Sequence, residues 1–312
     1  MLFRSVADGL DPDRFEAVRI TISRDGVWSG PAGEAVPLVP GRGGPLGCDV
    51  VFPALHGPFG EDGTVQGLLE LADVAYVGSG VLGSAVAMDK VVAKQLLAQA
   101  GIAQSRFRAF AEHERTDALL EEIAADLGYP CFVKPANMGS SVGVSKARDA
   151  EELRRAVDHA LTYDEWIVVE EAVIGREIEV AVLGSADPQA SGAGEIVPGS
   201  EFYDYEDKYV TDAAQLLIPA PLTEEQTEQV RAAAIEVFRT LRCDGLARVD
   251  FFFEEGGRGF LCNEANTMPG FTPVSMYPKL WQAAGVGYGE LIDRLVELAL
   301  ARHARRRRNT KH

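Results

Sequence analysis

Arg248, Asp250, Glu264 and Asn266 are the residues of this 312-residue chain whose types and spacing could most readily do chemistry together. They fall in two apolar runs, 245–254 and 260–266, joined by Glu255-Gly256-Gly257-Arg258, which reads as a hairpin turn. Side chains alternate along a strand, so Arg248, Asp250 and Phe252 share one face while Val249, Phe251 and Phe253 take the other. The parity of the second strand sets Glu264 with Asn266. Hard oxygen ligands at Asp250, Glu264 and Asn266 suit Mg²⁺, which keeps waters and is completed by substrate phosphates. A charged pair on a strand is by itself more often a solvated face. Here the acids sit among strongly apolar residues and run into Pro269-Gly270, where a missing Cβ lets backbone approach a ligand. A nucleotide held through a divalent cation is the expected ligand.

Other candidates lie at the ends of expected strands. Lys134 closes a short buried strand over 130–135, and the small residues of 137–143 offer backbone N–H groups for phosphate oxygens. This is not a P-loop, because Lys134 precedes the glycines and no G-x-x-x-x-G-K-[ST] follows. The loop 55–63 follows a strand over 49–52, the place where open α/β sheets bind ligands, which makes His56 and Glu61 site candidates. Residues 1–78 read as alternating helix-like and strand-like pieces, one over 15–22, then the strand over 49–52, then a helix over 64–71. A second helix is expected over 89–101, closed by Gly101, with Val92, Leu96 and Leu97 inward. Residues 165–171 read as another buried strand. The run 176–183 reads as a half-buried antiparallel strand with Glu177 and Glu179 on its open face, where acids are solvated by default. A helix over 288–302 closes the fold. These pieces divide into three units, 1–78, 79–172 and 173–312, in a mixed α/β and α+β class.

Apolar residues make up 46% and charged residues 25%, the balance of a folded globular enzyme. A net charge of −17 argues against general nucleic-acid affinity, since phosphate contacts need clustered cations. The basic run over 301–312 reads as a frayed, solvated tail. No apolar run approaches the ~20 residues of a membrane span and the N-terminus lacks a secretory apolar core, so a cytoplasmic location is expected. Cys48, Cys131, Cys243 and Cys262 lack C-x-x-C spacing and are expected to be buried, reduced thiols.

Met88-Asp89-Lys90, Val133-Lys134-Pro135, 139–143, 170–177, Arg248-Val249-Asp250 and Glu264-Ala265-Asn266, in this order, resemble the ATP-grasp superfamily. His56-Gly57 with Glu61-Asp62-Gly63, the run 202–209 and the run 266–272 narrow the resemblance to the D-alanine–D-alanine ligases, over residues 5 to 300. The resemblance implies an ATP-grasp fold of three domains and a ligase joining two D-alanines through a D-alanyl phosphate, for peptidoglycan precursor synthesis. Its cofactors would be ATP and two Mg²⁺ ions, or Mn²⁺, and its usual state a homodimer. Lys90, Lys134 and Lys208 would meet ATP phosphates under a lid formed by Gly139, Ser140 and Ser141. Glu170 would accept from the adenine amino group, the backbone of Ala172 and Val173 would flank the base, and Glu177 would take the ribose hydroxyls. Asp250, Glu264 and Asn266 would hold metal. Arg248 and the Gly270 N–H would form an oxyanion hole, Ser140 and Tyr209 would clamp the lids, and Ser275 with Met276 would bind the second substrate. The pattern around Tyr209 resembles the D-alanine-using kind. The rival readings are a ligase making D-Ala-D-Ser, D-Ala-D-Lac or another dipeptide, and an ATP-binding paralogue without activity.

Relatives of this kind begin with a strand and a Gly-rich loop carrying an acid, whereas Arg4 to Phe15 here resembles the helix that follows them. The N-terminal Rossmann-like domain is therefore expected to lack its first strand, leaving an unpaired sheet edge.

Overall fold

A computed structural model describes residues 2–197 and 215–307. At the N-terminus, helix α1 (Leu2–Gly9) precedes a short antiparallel pair, β1 (Thr21–Ile22) and β2 (Trp28–Ser29). Next, β3 (Val50–Val51), α2 (Thr64–Ala72) and β4 (Ala75–Tyr76) make a parallel crossover unit. The strand over 49–52 and the helix over 64–71 are thus present, while 15–22 yields only the two residues of β1. Val65, Leu69, Val74 and Tyr76 pack this unit internally.

Helices α3 (Val81–Met88) and α4 (Lys90–Gln99) lead into an antiparallel four-stranded sheet. It is built from β5 (Phe107–Ala111), β6 (Cys131–Pro135), β7 (Ser145–Ala147) and β8 (Trp166–Glu171) in the order β5-β8-β6-β7. Helices α5 (Asp117–Leu127) and α6 (Ala150–Ala160) cover one face, burying Leu120, Ile123, Leu153 and Val157 against Val133, Ile167 and Val169. Helices α4, α5 and α6 each start on a side-chain cap, which α3, beginning after Gly80, lacks: Asp89, Thr116 and Asp149 accept from Val92, Leu119 and Glu152 N–H. Gly101, at φ +75°, turns the chain out of α4 as its sequence position predicts. The inward face of α4 differs from expectation. Val92 and Leu96 are exposed, and Val91, Ala93, Lys94 and Leu97 are buried, because the helix turns the Lys90–Lys94 stripe rather than its apolar maximum toward the sheets.

The second large sheet is antiparallel and has the order β11-β10-β9-β12-β13. Its strands are β9 (Arg176–Gly184), β10 (Gln189–Val197), β11 (Gln215–Leu217), β12 (Gly245–Glu254) and β13 (Gly259–Asn266). Helix α7 (Glu224–Thr240) packs Val230, Ala234, Val237 and Phe238 on Ile178, Val180, Val249 and Phe251. The opposite face carries Ala181, Leu183 and Leu246 under Tyr277 and Leu280 of α8 (Met276–Ala283). By strand parity that second face also holds Glu177, Glu179, Arg248 and Asp250, so it is polar at one end and apolar at the other. β9 is central and buried on both faces from Ile178 onward, not half-buried, and Glu179 is 4% exposed.

β12 and β13 pair as the hairpin reading required, with one irregularity. Asp250 faces Glu264, but Phe251 faces Cys262, so Asn263 is an extra, bulged residue. Strict alternation would have put Cys262 on the site face. The bulge instead sends its thiol into the α7-side core and leaves Glu264 and Asn266 with Asp250. Cys131 and Cys243 are buried as expected, whereas Cys48 is half-buried.

Helix α9 (Tyr288–Arg307) extends beyond the expected end at 302, and the start of the basic run is not frayed. Arg302 is 6% exposed, donates to the carbonyls of Tyr76 (3.0 Å) and Gly78 (2.7 Å), and lies 4.1 Å over the Tyr76 ring. His303 meets Asp73, Arg305 meets Asp244, and Arg306 meets Glu70. Because three acids and two carbonyl groups of the preceding elements face this turn, the charges that suggested a solvated tail serve as tertiary anchors.

Candidate active site

Asp250 and Glu264 are direct cross-strand partners, and Arg248 lies opposite Asn266. All four point to one side of the sheet. Arg248 forks onto Asp250, Nε to Oδ1 at 2.8 Å and Nη2 to Oδ2 at 2.7 Å, and its Nε lies 3.1 Å from Glu179 Oε2. Burial works against the guanidinium charge, but Asp250 and Glu179 outweigh it and raise the Arg248 pKa well above its ordinary value. The Asn266 amide nitrogen donates to Asp250 Oδ2 at 2.9 Å and toward Glu264 Oε1 at 3.5 Å. It therefore bridges the two carboxylates, the position a hard cation would take. Among the described residues no group of three His, Cys, Asp or Glu side chains forms a cage. Two carboxylates and one amide oxygen, completed by water or phosphate, are the donor set that suits Mg²⁺, and the residues fit the ion.

A cluster of cations adjoins this centre. Lys134 Nζ is 3.1 Å from Glu170 Oε1 and 3.5 Å from Asn263 Oδ1, while Lys90 Nζ donates to the Met138 carbonyl at 2.6 Å. Burial lowers the Lys90 pKa, partly countered by Glu264. Glu170 is 2% exposed. Burial would raise its pKa, yet Lys134, Lys94 and a Ser105 hydrogen bond pull it down to about 2. Glu177, whose register partner is Phe252, occupies the same sheet face as Glu179 and Asp250. Ala172 follows β8 directly, with its N–H donating to the Pro130 carbonyl at 3.2 Å, and Val173 is half-buried beside it.

A cleft of about 950 Å³ joins the rest of the candidates. His56, Glu61, Lys90, Gly139, Ser140, Arg248, Glu264, Asn266, Gly270, Ser275 and Met276 all line it. Glu61 ties its own loop by accepting from Gly57 N–H at 2.6 Å, and His56 Nδ1 is 3.8 Å from Glu61 Oε1. Across from it, a Cβ built on Gly139 would lie 3.6 Å from Gly57 Cα and 3.9 Å from Glu61 Oε2, so the two loops face each other closely. Ser140 and Ser141 both have left-handed φ, 52° and 60°, a strained pair of the kind found at ligand clamps. Asn137 pins the base of this loop through Asp164 and Asp89. At the far end, Ser275 heads α8 but does not cap it. Its Oγ accepts from Thr272 N–H at 3.1 Å and lies 2.8 Å from Thr272 Oγ1. A hydroxyl beside a helix N-terminus suits a carboxylate.

Lys134, Ser141, Glu170, Ala172, Val173, Glu177 and Asp250 are not among the cleft-lining residues, although Asp250 contacts Arg248 and Asn266, which are. Lys208 and Tyr209, with the rest of the run 202–209, lie outside the described residues. Three residues escaped the sequence reading. Glu179 reads from sequence as a solvated acid, yet its parity with Glu177 puts it on the site face, where it is buried. Lys94 sits one turn after Lys90, and that i, i+4 spacing was its only signal. Lys279, one turn after Ser275, also lines the cleft.

Residues 96–297 match the family model for the D-ala D-ala ligase C-terminus, and residues 41–79 match that for the D-ala D-ala ligase N-terminus. A D-alanine–D-alanine ligase of Geobacillus thermodenitrificans is 48% identical over 96% of this chain and 90% of its own length. One from Bacillus velezensis is 54% identical over 82% of this chain and 73% of its own. Among solved structures, the D-alanine-D-alanine ligase from Coxiella burnetii superposes with a TM-score of 0.87 at 33% identity, covering 98% of this chain and 90% of that one. The VanG D-Ala:D-Ser ligase from Enterococcus faecalis gives 0.86 at 33% identity, covering 96% and 94%. With matched segments spanning both the cleft and the sheets that build it, the chain belongs to the D-alanine–D-alanine ligase family.

Proposed function

We propose that this chain joins two molecules of D-alanine into D-alanyl-D-alanine with cleavage of ATP, supplying a peptidoglycan precursor. The observation that carries the reading is the facing Asp250–Glu264 pair with Arg248 beside it on one sheet face. The carboxylate of the first D-alanine attacks the γ-phosphorus of ATP, forming an acyl phosphate and releasing ADP. The amine of the second then attacks the acyl carbon, loses a proton, and expels inorganic phosphate. Negative charge builds on the acyl oxygen in the second step, and Arg248 with the Gly270 N–H, both on the cleft wall, donates to it. Lys90, Lys134 and Lys208 offset phosphate charge, with Gly139, Ser140 and Ser141 as the cover and Tyr209 as its clasp. Glu170 receives the adenine amino group, Ala172 and Val173 flank the base, and Glu177 binds the ribose. Ser275 and Met276 receive the second D-alanine. His56 and Glu61 wall the first. Mg²⁺, as two ions, or Mn²⁺ would be held by Asp250, Glu264 and Asn266 and would draw charge off the transferred phosphoryl group. Exclusion of water by the two facing loops protects the acyl phosphate from hydrolysis.

A cytoplasmic site of action follows from the need for ATP, and no described helix is long and apolar enough to cross a membrane. A homodimer is part of the same proposal, supported by the exposed apolar side chains Phe59, Leu71 and Leu82 in and around α2 and α3. The three-part division at residues 78 and 172 belongs to it as well.

Phosphate release with Mg·ATP and D-alanine alone, with the product identified by mass, tests the reaction. Turnover on D-alanine alone supports it. Turnover only when D-serine or D-lactate is added defeats it in favour of a mixed dipeptide or depsipeptide product, the second reading, which the likeness to a D-Ala:D-Ser ligase keeps in view. Nucleotide binding without turnover on any pair would mark a paralogue without activity.

A further inference from the structure

Glu170 has both carboxylate oxygens engaged before any ligand arrives. Oε1 is held by Lys134 Nζ at 3.1 Å, and Oε2 accepts from Ser105 Oγ at 2.8 Å with Lys94 Nζ at 3.4 Å. Lys94 Nζ in turn donates to Ser105 Oγ at 3.1 Å and sits 5.3 Å from the centre of the Phe107 ring. The two lysines differ in freedom. The Lys134 side chain is 15% exposed and also reaches toward Asn263, so it can be shared with an incoming phosphate. Lys94 is 2% exposed and fixed in α4 between the buried Val91, Ala93 and Leu97, so it cannot turn away. We propose that Lys94 and Ser105 are positioning residues that fix Glu170 as an ionised, acceptor-only carboxylate and thereby select a 6-amino purine over a 6-oxo purine.

This inference rests on the reading that Glu170 meets the adenine amino group. An ionised carboxylate can only accept hydrogen bonds, and Oε1, which meets only Lys134 among the contacts above, keeps a lone pair. An exocyclic amine satisfies that lone pair. A 6-oxo purine sets acceptor against acceptor, leaving a buried polar group unpaired unless Glu170 takes up a proton and donates. Lys94 opposes that proton through its charge, and Ser105 aims the carboxylate by donating to Oε2. Without Lys94, burial would favour the protonated form, and the protonated carboxyl could serve either base.

The test compares kcat and KM for ATP and for inosine triphosphate, with saturating Mg²⁺ and D-alanine, in the wild type, Lys94→Met, Ser105→Ala and Glu170→Gln. Melting curves establish that each variant is folded at the assay temperature. Lys94→Met is expected to lower the ATP-over-ITP ratio of kcat/KM by roughly tenfold or more, with the change carried by KM. Ser105→Ala moves the ratio the same way by less, and it decides the matter if Lys94→Met does not fold. Glu170→Gln also loses discrimination, because an amide can rotate to donate to O6. Discrimination lost in Glu170→Gln but intact in Lys94→Met and Ser105→Ala overturns the proposal alone. Discrimination intact in Glu170→Gln overturns the adenine-site reading beneath it.

Discussion

Arg248 meets two carboxylates at once, through a forked pair to Asp250 and a further contact to Glu179. A lysine carries the charge but cannot reproduce the planar fork. Arg248→Lys should therefore lower kcat by about a hundredfold, the scale of losing one aligned oxyanion donor, with the KM for ATP changed far less; steady-state kinetics resolve the two. Glu170 bears on stability as well as binding. Its folded pKa of about 2 lies below the ordinary carboxylate value, so its stabilisation is complete above pH ~4.5. It drains as the pH falls toward 2. Glu170→Gln should melt lower than the wild type at pH 7, by the equivalent of about 3 kcal/mol for a broken buried pair, and the gap should close as the solution is acidified below pH 4.5. A gap that stays constant with pH would show that the carboxylate charge is not what stabilises. At this scale the sequence was legible in placement where strand parity alone decides it, as in the gathering of Asp250, Glu264 and Asn266 on one sheet face. Glu179 and Lys94 were not legible, because burial of a charged side chain depends on what packs over it, and the covering residues come from elements far away in the chain.

Elements explain how those side chains converge. Period-two alternation placed β12 correctly from sequence, and the β12–β13 pairing followed from it. The bulge at Asn263 carried no sequence signal, since neither Gly nor Pro marks it and the extra residue shows only in the pairing. The inward face of α4 was misread for a related reason: apolar spacing was weighed without the site that recruits Lys90 and Lys94. At the mouth of α8, Gly270 is required for space. A Cβ there would lie 3.2 Å from Ser275 Oγ, tight enough to push that hydroxyl from its Thr272 partners. Gly270→Ala should raise the KM for the second D-alanine several-fold more than that for ATP; equal effects on both would argue against Ser275 as a carboxylate partner.

Across the whole molecule, the first and last parts of the chain share one core. Val6, Val77, Leu246, Tyr277, Leu291 and Ile292 pack together, and Arg302 binds the carbonyls of Tyr76 and Gly78 at the end of β4 and just beyond it. The sequence showed the helix but not its length or task, because a run of arginines reads as solvated until its acidic partners are placed in space. Arg302→Ala removes two hydrogen bonds and a stacked cation from a buried turn and should cost about 3 kcal/mol. Limited proteolysis should then cut the 55–63 loop sooner; an unchanged digestion pattern would show that the arginine does not hold this unit in place. The latch also has a consequence for biosynthesis. Arg302 lies 226 positions beyond Tyr76, so a nascent chain must be translated through Arg302 before the wall bearing His56 and Glu61 can be latched by it. Until that late moment the side of the cleft bearing Lys90, Arg248 and Glu264 lacks its His56–Glu61 wall, and on the proposed function a ribosome stalled short of α9 would hold a chain unable to shelter an acyl phosphate.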